Sequence, residues 1–411
     1  MHFIYNLGIH VASLVLKFGA LFNSKLKKGV IGRKNTFKAL KNSIAKNDKT
    51  LWFHCASLGE YEQGLPVFTE LRKHYKKHKI ILSFFSPSGY TIKKNTPIAN
   101  TVVYLPLDTK TNAKHFIDIV NPELTVFVKY DIWPNFLNEL KHKKLKAILI
   151  SAAFRKEQSY FKFYGKPLKE ALFAFNHIFT QNEASKKLLK QINYHTITVT
   201  GDTRFDRVYN QLNADNTLPF IETFKNNNLC IVAGSTWPED EALFINFINS
   251  QTTKNIKFII APHDIKQDRI KKMQSQINSK SILFSEKENT DLTNYQVFII
   301  DTIGILSKIY NYAEIAYVGG ALGKTGLHNT LEPAVFGIPI IIGNNHSKYP
   351  EAKNFIDNGG MFSISNQKEF NNILNTLIKN PTKRKETGNN NISFIKKNKG
   401  AVIQILDYLR I

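Results

Sequence analysis

The feature that most constrains the fold of this 411-residue chain is an alternation of short apolar runs with longer amphipathic stretches, which occurs twice. In the first half the apolar runs cover residues 51–56, 81–85, 101–105, 124–128 and 146–151. In the second half they cover residues 229–234, 257–262, 297–301, 314–320 and 338–343. Strands that are apolar throughout and separated by helices form parallel sheets covered on both faces. The sequence therefore predicts an α/β fold with two Rossmann-like domains.

Composition shifts along the chain predict where these domains begin and end. The polar segment 211–228 interrupts the alternation and predicts a linker between an N-terminal domain, residues 25–210, and a second domain, residues 229–380. The basic tail, residues 381–411, predicts closing helices. Ligands of open parallel sheets bind at the carboxyl ends of the strands, so we expect the site in a cleft between the two domains.

The N-terminal segment and the charge point to an anionic partner. Residues 3–22 are mostly apolar, and a basic stretch follows them at residues 25–34. Twenty helical residues span about 30 Å, so residues 1–24 predict a membrane-anchor helix, shallow or only marginally spanning because it contains His10 and Lys17. A buried first helix of a soluble domain is the alternative. The 56 Lys and Arg against 32 Asp and Glu give a net charge of +24, which favours a polyanion.

Other function classes fit the sequence less well. The two cysteines are too few for a disulfide framework or a cysteine-based zinc site. The basic residues are spread along the chain without an interleaved aromatic platform, which argues against a nucleic-acid binder. Motifs typical of metal or nicotinamide sites are absent from the sequence, so neither a metal nor a nicotinamide cofactor is expected.

Charged residues follow the predicted strands of the first half. Glu60 follows the first strand, where its carboxylate is placed to remove a proton from a hydroxyl. Ser57 and Glu60 also have the spacing of a capping box, and the helix dipole favours an ionised Glu60. Asp131 is either a second acid of the site or an acid at a helix start. Arg204 is a cation that suits a phosphate or a carboxylate.

The second half has comparable motifs. Ser235 and Thr236 follow a strand. Thr236 and Glu239 have the spacing of a capping box, so this segment is either a capped helix start or an anion site at the first amides of the helix. His263 follows the next strand. It is either a hydrogen-bond donor to a phosphate or an exposed loop residue. The glycine-rich segment 319–332 is not a P-loop, because Val318 occupies the position of its first glycine. It predicts either a nucleotide site or a simple connection, with a helix beginning near Asn329.

The order of these motifs resembles that of the 3-deoxy-D-manno-octulosonic acid (Kdo) transferases that decorate lipid A. The matching stretches, which follow the family's order over nearly the whole chain, are WFHCASLGEYEQGLPV, FSPSGY, YLPLD, DIWPN, GDTRFD, AGSTWPEDE, APHD, DTIGILSKIY and AYVGGALGKTGLHNTLEPAVFGIPIIIG. The resemblance implies a GT-B fold with an acceptor-binding N-terminal domain and a donor-binding C-terminal domain. It also implies a monotopic protein on the cytoplasmic face of the bacterial inner membrane.

The resemblance implies a reaction and a set of site residues. CMP-Kdo would be the donor, a lipid A precursor the acceptor, and the transfer would invert the anomeric centre without a catalytic metal or a further cofactor. Glu60 matches the family's base, Asp131 its second acid and Arg204 its lysine before Phe-Asp. The CMP contacts would come from one set of residues: Pro262, His263, Ile303, Gly304, Ile305, Asn329, Thr330, Leu331 and Glu332. His328, with Ser235 and Thr236, completes the predicted nucleotide site.

Three departures from the family pattern affect individual contacts. Lys129 stands where the family has the first acid of Glu-x-Glu, His263 replaces the usual arginine, and Ile305 replaces a glutamate. A histidine at the phosphate would make donor binding sensitive to pH. A GT-B glycosyltransferase or an epimerase that uses a UDP-sugar is the nearest alternative function.

Overall fold

The computed structural model describes residues 1–251 and 255–411, which form two domains. The first domain consists of Met1–Arg207 and Lys399–Ile411, and the second consists of Val208–Asn398. Each domain is built on a parallel sheet with helices along both faces. The predicted fold class, with two Rossmann-like parallel-sheet domains, is confirmed.

The first domain has the strand order β3-β2-β1-β4-β5-β6-β7. Its strands are β1 (Thr50–Cys55), β2 (Lys79–Phe84), β3 (Thr101–Tyr104), β4 (Pro122–Val128), β5 (Lys146–Ala152), β6 (His177–Thr180) and β7 (Ile197–Val199). Its helices are α1 (His2–Gly19), α2 (Ser24–Lys34), α3 (Thr36–Ser43), α4 (Leu58–His74), α5 (Pro87–Lys93), α6 (Lys110–Val120), α7 (Pro134–His142), α8 (Lys166–Leu172), α9 (Glu183–Gln191) and α10 (Thr203–Asn210). The order reverses between β1 and β4, so the loops after these two strands diverge and leave a crevice at their carboxyl ends.

The second domain has the strand order β10-β11-β9-β8-β12-β13-β14. Its strands are β8 (Leu229–Thr236), β9 (Ile256–Pro262), β10 (Ser281–Leu283), β11 (Val297–Ile299), β12 (Ile315–Val318), β13 (Ile340–Gly343) and β14 (Met361–Ile364). Its helices are α11 (Pro219–Lys225), α12 (Pro238–Ser250), α13 (Gln267–Ser275), α14 (Leu306–Ile309), α15 (Leu331–Ala334), α16 (Pro350–Asp357), α17 (Gln367–Lys379) and α18 (Pro381–Asn398). Here the switch point lies between β8 and β12.

Apolar side chains on both faces of the first sheet explain its two cores. Trp52 of β1 packs against Phe116 and Phe136 of the helices on one face. Phe53, which points to the other face, stacks on Phe68 of α4 with ring centroids 4.3 Å apart. Successive residues of a strand point to opposite faces, so a strand with helices on both sides must be apolar throughout. These packed strands hold the loops at their ends in fixed positions.

The domain boundaries differ from the predicted ones in two places. Segment 211–228, expected as a linker, belongs to the second domain, where Ile221 and Phe224 of α11 are buried. The expected closing helices are divided, because α18 belongs to the second domain and the last helix, α19 (Ala401–Leu409), packs on the first. Asp206 accepts hydrogen bonds from the backbone amides of Gly400 and Ala401, which fixes the start of α19.

The N-terminal helix α1 has no buried residue, which excludes the alternative of a buried core helix. Its large apolar side chains are exposed and recur at helical spacing: Phe3, Ile4, Leu7, Val11, Leu14, Val15 and Phe18. The opposite side of the helix is attached to the first domain through the Tyr5 hydroxyl, which donates to Asp108 at 2.6 Å. Among residues 1–251 and 255–411, no helix combines the length and the apolarity that crossing a membrane requires.

Candidate active site

Some of the predicted site residues lie at the switch points of the two sheets, one group in each domain. In the first domain, Glu60 follows β1 and Asp131 follows β4, and these two strands are hydrogen-bonded neighbours. In the second domain, Ser235 and Thr236 end β8, which pairs with β12, and the glycine-rich segment follows β12. Both groups therefore occupy the places where parallel sheets bind ligands.

Glu60 is a buried carboxyl in the first turn of α4, with 8% of its surface exposed. Its Oε2 accepts a hydrogen bond from the Ala56 amide at 2.5 Å, and its own amide donates to the Ser57 hydroxyl at 3.4 Å. This is the predicted capping box. Burial, together with the charge of Asp131, nevertheless raises the pKa of Glu60 to about 8, so the expectation that the helix dipole keeps it ionised is wrong. Desolvation and a like charge outweigh the dipole here.

Asp131 belongs to a hydrogen-bond network that the sequence analysis did not predict. Its Oδ2 is 2.5 Å from Nε2 of His54 and accepts a hydrogen bond from the Trp133 indole at 2.8 Å. His54 is fully buried in β1, and its Nδ1 is 2.8 Å from the Ser83 hydroxyl. Asp131 itself remains 16% exposed. The network therefore connects the interior of the sheet to a carboxylate at the surface of the crevice.

Lys129, the first departure from the family pattern, lies between these two acids in sequence and next to them in space. Its backbone has the left-handed φ of +69°, which is uncommon for a side chain of this type. Its ammonium lies 5.1 Å from the Tyr130 ring centroid, and its charge lowers the pKa of Glu60. Where the family has the first acid of Glu-x-Glu, this chain thus places a cation near the buried glutamate.

Arg204 is held by an acid of the same loop. Its Nε donates to Oδ2 of Asp202 at 2.8 Å, and the terminal nitrogen also contacts this carboxylate. The other oxygen of Asp202 accepts from the Gln63 side chain on α4 at 2.9 Å. This double contact ties the start of α10 to α4 and orients the guanidinium that was predicted as a phosphate or carboxylate contact.

The start of α12 differs from the predicted capping box by one residue. The helix begins at Pro238, and Asp240 instead of Glu239 accepts the hydrogen bond from the Trp237 amide at 2.9 Å. Asp240 also accepts from the Gly320 amide and from the Tyr317 hydroxyl, so it joins the loops after β8 and β12. The Thr236 hydroxyl donates to Glu241, and Ser235 adopts a φ of +53°. Proline at the first helical position shifted the register that the spacing predicted.

Three aromatic rings stack at the ends of β8, β9 and β12. His263 lies between Trp237 and His328, with ring centroid distances of 4.8 Å and 4.4 Å. The Trp237 indole donates to Nε2 of His328 at 3.0 Å. Burial, together with the neighbouring His263, lowers the pKa of His328 to about 4, so this ring is a neutral acceptor at physiological pH. His263 is nevertheless an exposed residue of the loop after β9, as one of the two sequence interpretations expected, although its ring stacks on Trp237 and His328.

The glycine-rich segment folds into a tight loop. A Cβ on Gly319 would lie 2.5 Å from the Ser235 carbonyl oxygen, and Gly320 has a φ of +94°, so both positions require glycine. Asn329 donates to Glu332 at 3.0 Å and accepts from the Leu331 amide at 3.2 Å. The helix expected near Asn329 begins at Leu331, after Thr330, and is only four residues long, with Pro333 in its single turn. A full helix dipole is therefore not available there.

The remaining predicted nucleotide contacts, Ile303, Gly304 and Ile305, form the loop between β11 and α14. Ile303 is 82% exposed, and Gly304 adopts a φ of +98°. These three residues have no polar side chain, so their polar contacts come from the backbone. Among the described residues, no group of three or more His, Cys, Asp or Glu side chains is arranged to hold a metal ion.

Comparisons with known proteins agree with the family suggested by the motifs. Residues 32–207 match the family model of 3-deoxy-D-manno-octulosonic-acid transferase (kdotransferase). The 3-deoxy-D-manno-octulosonic acid transferase of Haemophilus influenzae is 26% identical over 389 residues, which cover 90% of this chain and 88% of that protein. The transferase of the same description from Aquifex aeolicus is 26% identical, covering 82% of this chain and 88% of that protein. The chain is therefore a glycosyltransferase that is similar to the Kdo transferases over most of its length.

A solved structure agrees with the fold of this chain. UDP-GlcNAc 2-epimerase from Neisseria meningitidis, bound to UDP-GlcNAc, superimposes with a TM-score of 0.62 over 88% of this chain and 99% of that one. The two sequences are only 14% identical, so the likeness shows the fold alone. The two Rossmann-like domains thus have the GT-B architecture that the motifs implied.

Proposed function

We propose that the chain transfers Kdo from CMP-Kdo onto a lipid A precursor, with inversion and without a catalytic metal. The observation that supports this most strongly is the similarity to Kdo transferases over nearly the whole chain, joined to a buried glutamate in the first switch point. The acceptor hydroxyl oxygen attacks the anomeric carbon, and the bond from that carbon to the CMP phosphate breaks. The hydroxyl proton passes to Glu60.

Glu60 suits this step because its proton affinity is high for a carboxylate. A general base is most effective when its pKa is near the working pH, and the pKa of Glu60 is raised to about 8. The nearby Asp131 is one cause of this rise, so the second acid strengthens the base. Two carboxyl groups whose surroundings separate their proton affinities are typical of acid–base catalysis.

The second domain is proposed to hold CMP. The departing phosphate needs hydrogen-bond donors, and His263, in place of the family's arginine, provides a ring nitrogen at the end of β9. The glycine-rich loop brings backbone close to the ligand, and Glu332, oriented by Asn329, has two oxygens for the ribose hydroxyls. Arg204 is proposed as the contact to a carboxylate or phosphate in the first domain.

Donor identity is tested by nucleotide binding to the full-length protein. We expect CMP and CMP-Kdo to raise the thermal unfolding midpoint, since a ligand that binds only the folded state stabilises it, whereas UDP and UDP-GlcNAc give little shift. Glu332→Gln should weaken CMP binding about tenfold or more through its ribose contact. Stabilisation by UDP-GlcNAc with conversion to its 2-epimer, and none by CMP, would replace this function with that of an epimerase.

We further propose that the protein binds the cytoplasmic face of the bacterial inner membrane through α1. Residues 1–50 contain ten Lys or Arg and one acidic residue, Asp48, beside the exposed apolar face of the helix. Each basic residue near an anionic bilayer adds about 1 kcal/mol, and apolar side chains enter the headgroup boundary. Phe163, at 88% exposure, and Tyr164 lie just before α8, whose Glu170 bonds His2, so this loop extends the apolar surface beside α1.

Membrane binding is tested by flotation with vesicles that contain anionic phospholipid. The double variant Leu14→Ser/Phe18→Ser is expected to lower the partition coefficient at least tenfold, since burying each side chain is worth about 1.5–3 kcal/mol. The control is Ile403→Ser, which removes an exposed apolar residue of α19 on the other face of the sheet and should bind as the wild type does. Equal flotation of the double variant and the wild type would contradict the anchor.

A further inference from the structure

We propose that His54 is a positioning residue for the transfer reaction, which donates a hydrogen bond from Nε2 to Asp131 and holds that carboxylate in place at the crevice. This inference rests on the proposed function. His54 is buried in the middle of the first sheet and does not reach the crevice itself. It acts through Asp131, the exposed end of the network.

The direction of the hydrogen bonds follows from the Trp52 indole, which can donate a hydrogen bond but cannot accept one. It donates to the Ser83 hydroxyl oxygen at 2.8 Å. The Ser83 proton then points to its nearer acceptor, Nδ1 of His54 at 2.8 Å, instead of the Phe53 carbonyl at 3.5 Å. A neutral imidazole that accepts at Nδ1 has its proton on Nε2. That proton is directed at Oδ2 of Asp131, 2.5 Å away.

At the far end of the network one donor is shared between two acceptors. The Trp133 indole N–H donates to Oδ2 of Asp131 at 2.8 Å and to Nε2 of His54 at 3.0 Å. The contact to the carboxylate is the shorter one, so the assignment of the Nε2 proton rests on the Trp52 and Ser83 end of the network. Every donor in the series from Trp52 to Asp131 points toward the carboxylate.

Asp131 matters for the reaction because its charge acts on the pKa of Glu60. The charge of Asp131 contributes to the raised pKa of Glu60, while Lys129 opposes it. The other titratable groups that feel the charge of Asp131 are Tyr5 on α1, Cys55 on β1, Asp108 before α6 and Tyr160 after β5. Burial raises the pKa of Tyr5, Cys55, Asp108 and Tyr160, and only that of Asp108, at about 6, lies below that of Glu60. Glu60 is therefore the group whose ionisation near pH 8 depends on Asp131.

Two amide substitutions separate the positioning role from a merely structural one. In His54→Gln the side-chain NH₂ reaches the place of Nε2 and still donates to Asp131. In His54→Asn the shorter side chain reaches only the place of Nδ1, so the contact to Ser83 is kept and the donor to Asp131 is lost. Both variants bury one amide at the same position, which makes them matched for the cost of folding.

We expect His54→Asn to lower kcat for transfer from CMP-Kdo about 10- to 100-fold, as for loss of a hydrogen bond to a charged group. His54→Gln should stay within about threefold of the wild type, since it retains the hydrogen bond to the charged Asp131. In the wild type, kcat/KM should rise with pH until Glu60 is ionised near pH 8. In His54→Asn that donor is lost, so Asp131 is no longer held in place and its effect on the pKa of Glu60 changes. The acidic limb of the profile should therefore move in His54→Asn and stay in place in His54→Gln.

Equal rates and equal pH profiles for the two variants would overturn the positioning role, as long as the wild type transfers Kdo. If the wild type itself shows no transfer, the proposed function fails instead. The tautomer is tested without any variant, through the ¹⁵N chemical shifts of the His54 ring in the full-length protein. We expect the pattern of a neutral ring protonated at Nε2, and a ring protonated only at Nδ1 would overturn the inference.

Discussion

Glu60→Gln is expected to lower kcat for Kdo transfer about 10²- to 10⁴-fold, the usual contribution of a positioned general base. The substituted glutamine keeps the size of the side chain and an oxygen that accepts from the Ala56 amide, so α4 should start as in the wild type. It cannot take a proton from the acceptor hydroxyl. Affinity for CMP should be unchanged, because the proposed nucleotide contacts belong to the second domain.

The matched control for this prediction is Glu62→Gln, which removes another carboxylate from the same turn of α4. Glu62 pairs with Lys93 and Arg207, each at 2.9 Å, and has no proposed part in the chemistry. This variant should retain transfer within about threefold, since partly exposed ion pairs are worth about 0–1 kcal/mol. A Glu60→Gln enzyme that transfers Kdo within tenfold of the wild type would remove Glu60 from the role of base.

Glu60→Gln should also stabilise the protein at high pH, which needs no substrate to measure. The pKa of Glu60 is about 8 in the folded state and near 4.5 in the unfolded state. Between these values the unfolded chain loses a proton that the folded chain keeps, so rising pH favours unfolding by up to about 1.4 kcal/mol per unit. Well below pH 4.5 both states are protonated and resemble the glutamine variant.

The measurement is the thermal unfolding midpoint of both proteins from pH 5 to pH 9. The advantage of Glu60→Gln should be small at pH 5, grow as the pH rises toward 8 and then level off. Glu288→Gln, which replaces a glutamate that is 78% exposed, is the control and should follow the wild type at every pH. A constant difference between Glu60→Gln and the wild type across this range would contradict the raised pKa.

The sequence predicted most of the strands and placed the candidate site residues after them, because both depend on local patterns. Apolar strands are recognisable one by one, and residues after their carboxyl ends must collect at the edge of a parallel sheet. The strands β6, β7, β10 and β14 were missed because none of them has more than two consecutive apolar residues. Segment 211–228 was mistaken for a linker because α11 is only seven residues long and buries only two side chains, Ile221 and Phe224.

Side-chain networks could not be predicted because they join residues that are far apart in the chain. His54 bonds Ser83 and Asp131, which are 29 and 77 positions away, and an isolated histidine in an apolar strand gives no sign of such partners. The raised pKa of Glu60 likewise depends on burial and on Asp131. A buried polar residue in the first strand was the only available signal, since such a residue requires a hydrogen-bond partner.

The most direct test of the proposed reaction is transfer by the full-length wild type from freshly generated CMP-Kdo to a lipid A precursor in detergent. We predict that the acceptor gains Kdo while CMP is released in equal amount, and that chelation of divalent metals does not stop the reaction. UDP-GlcNAc in place of CMP-Kdo should give no product. Failure of a folded protein that binds CMP to modify the acceptor would contradict the proposed Kdo transfer.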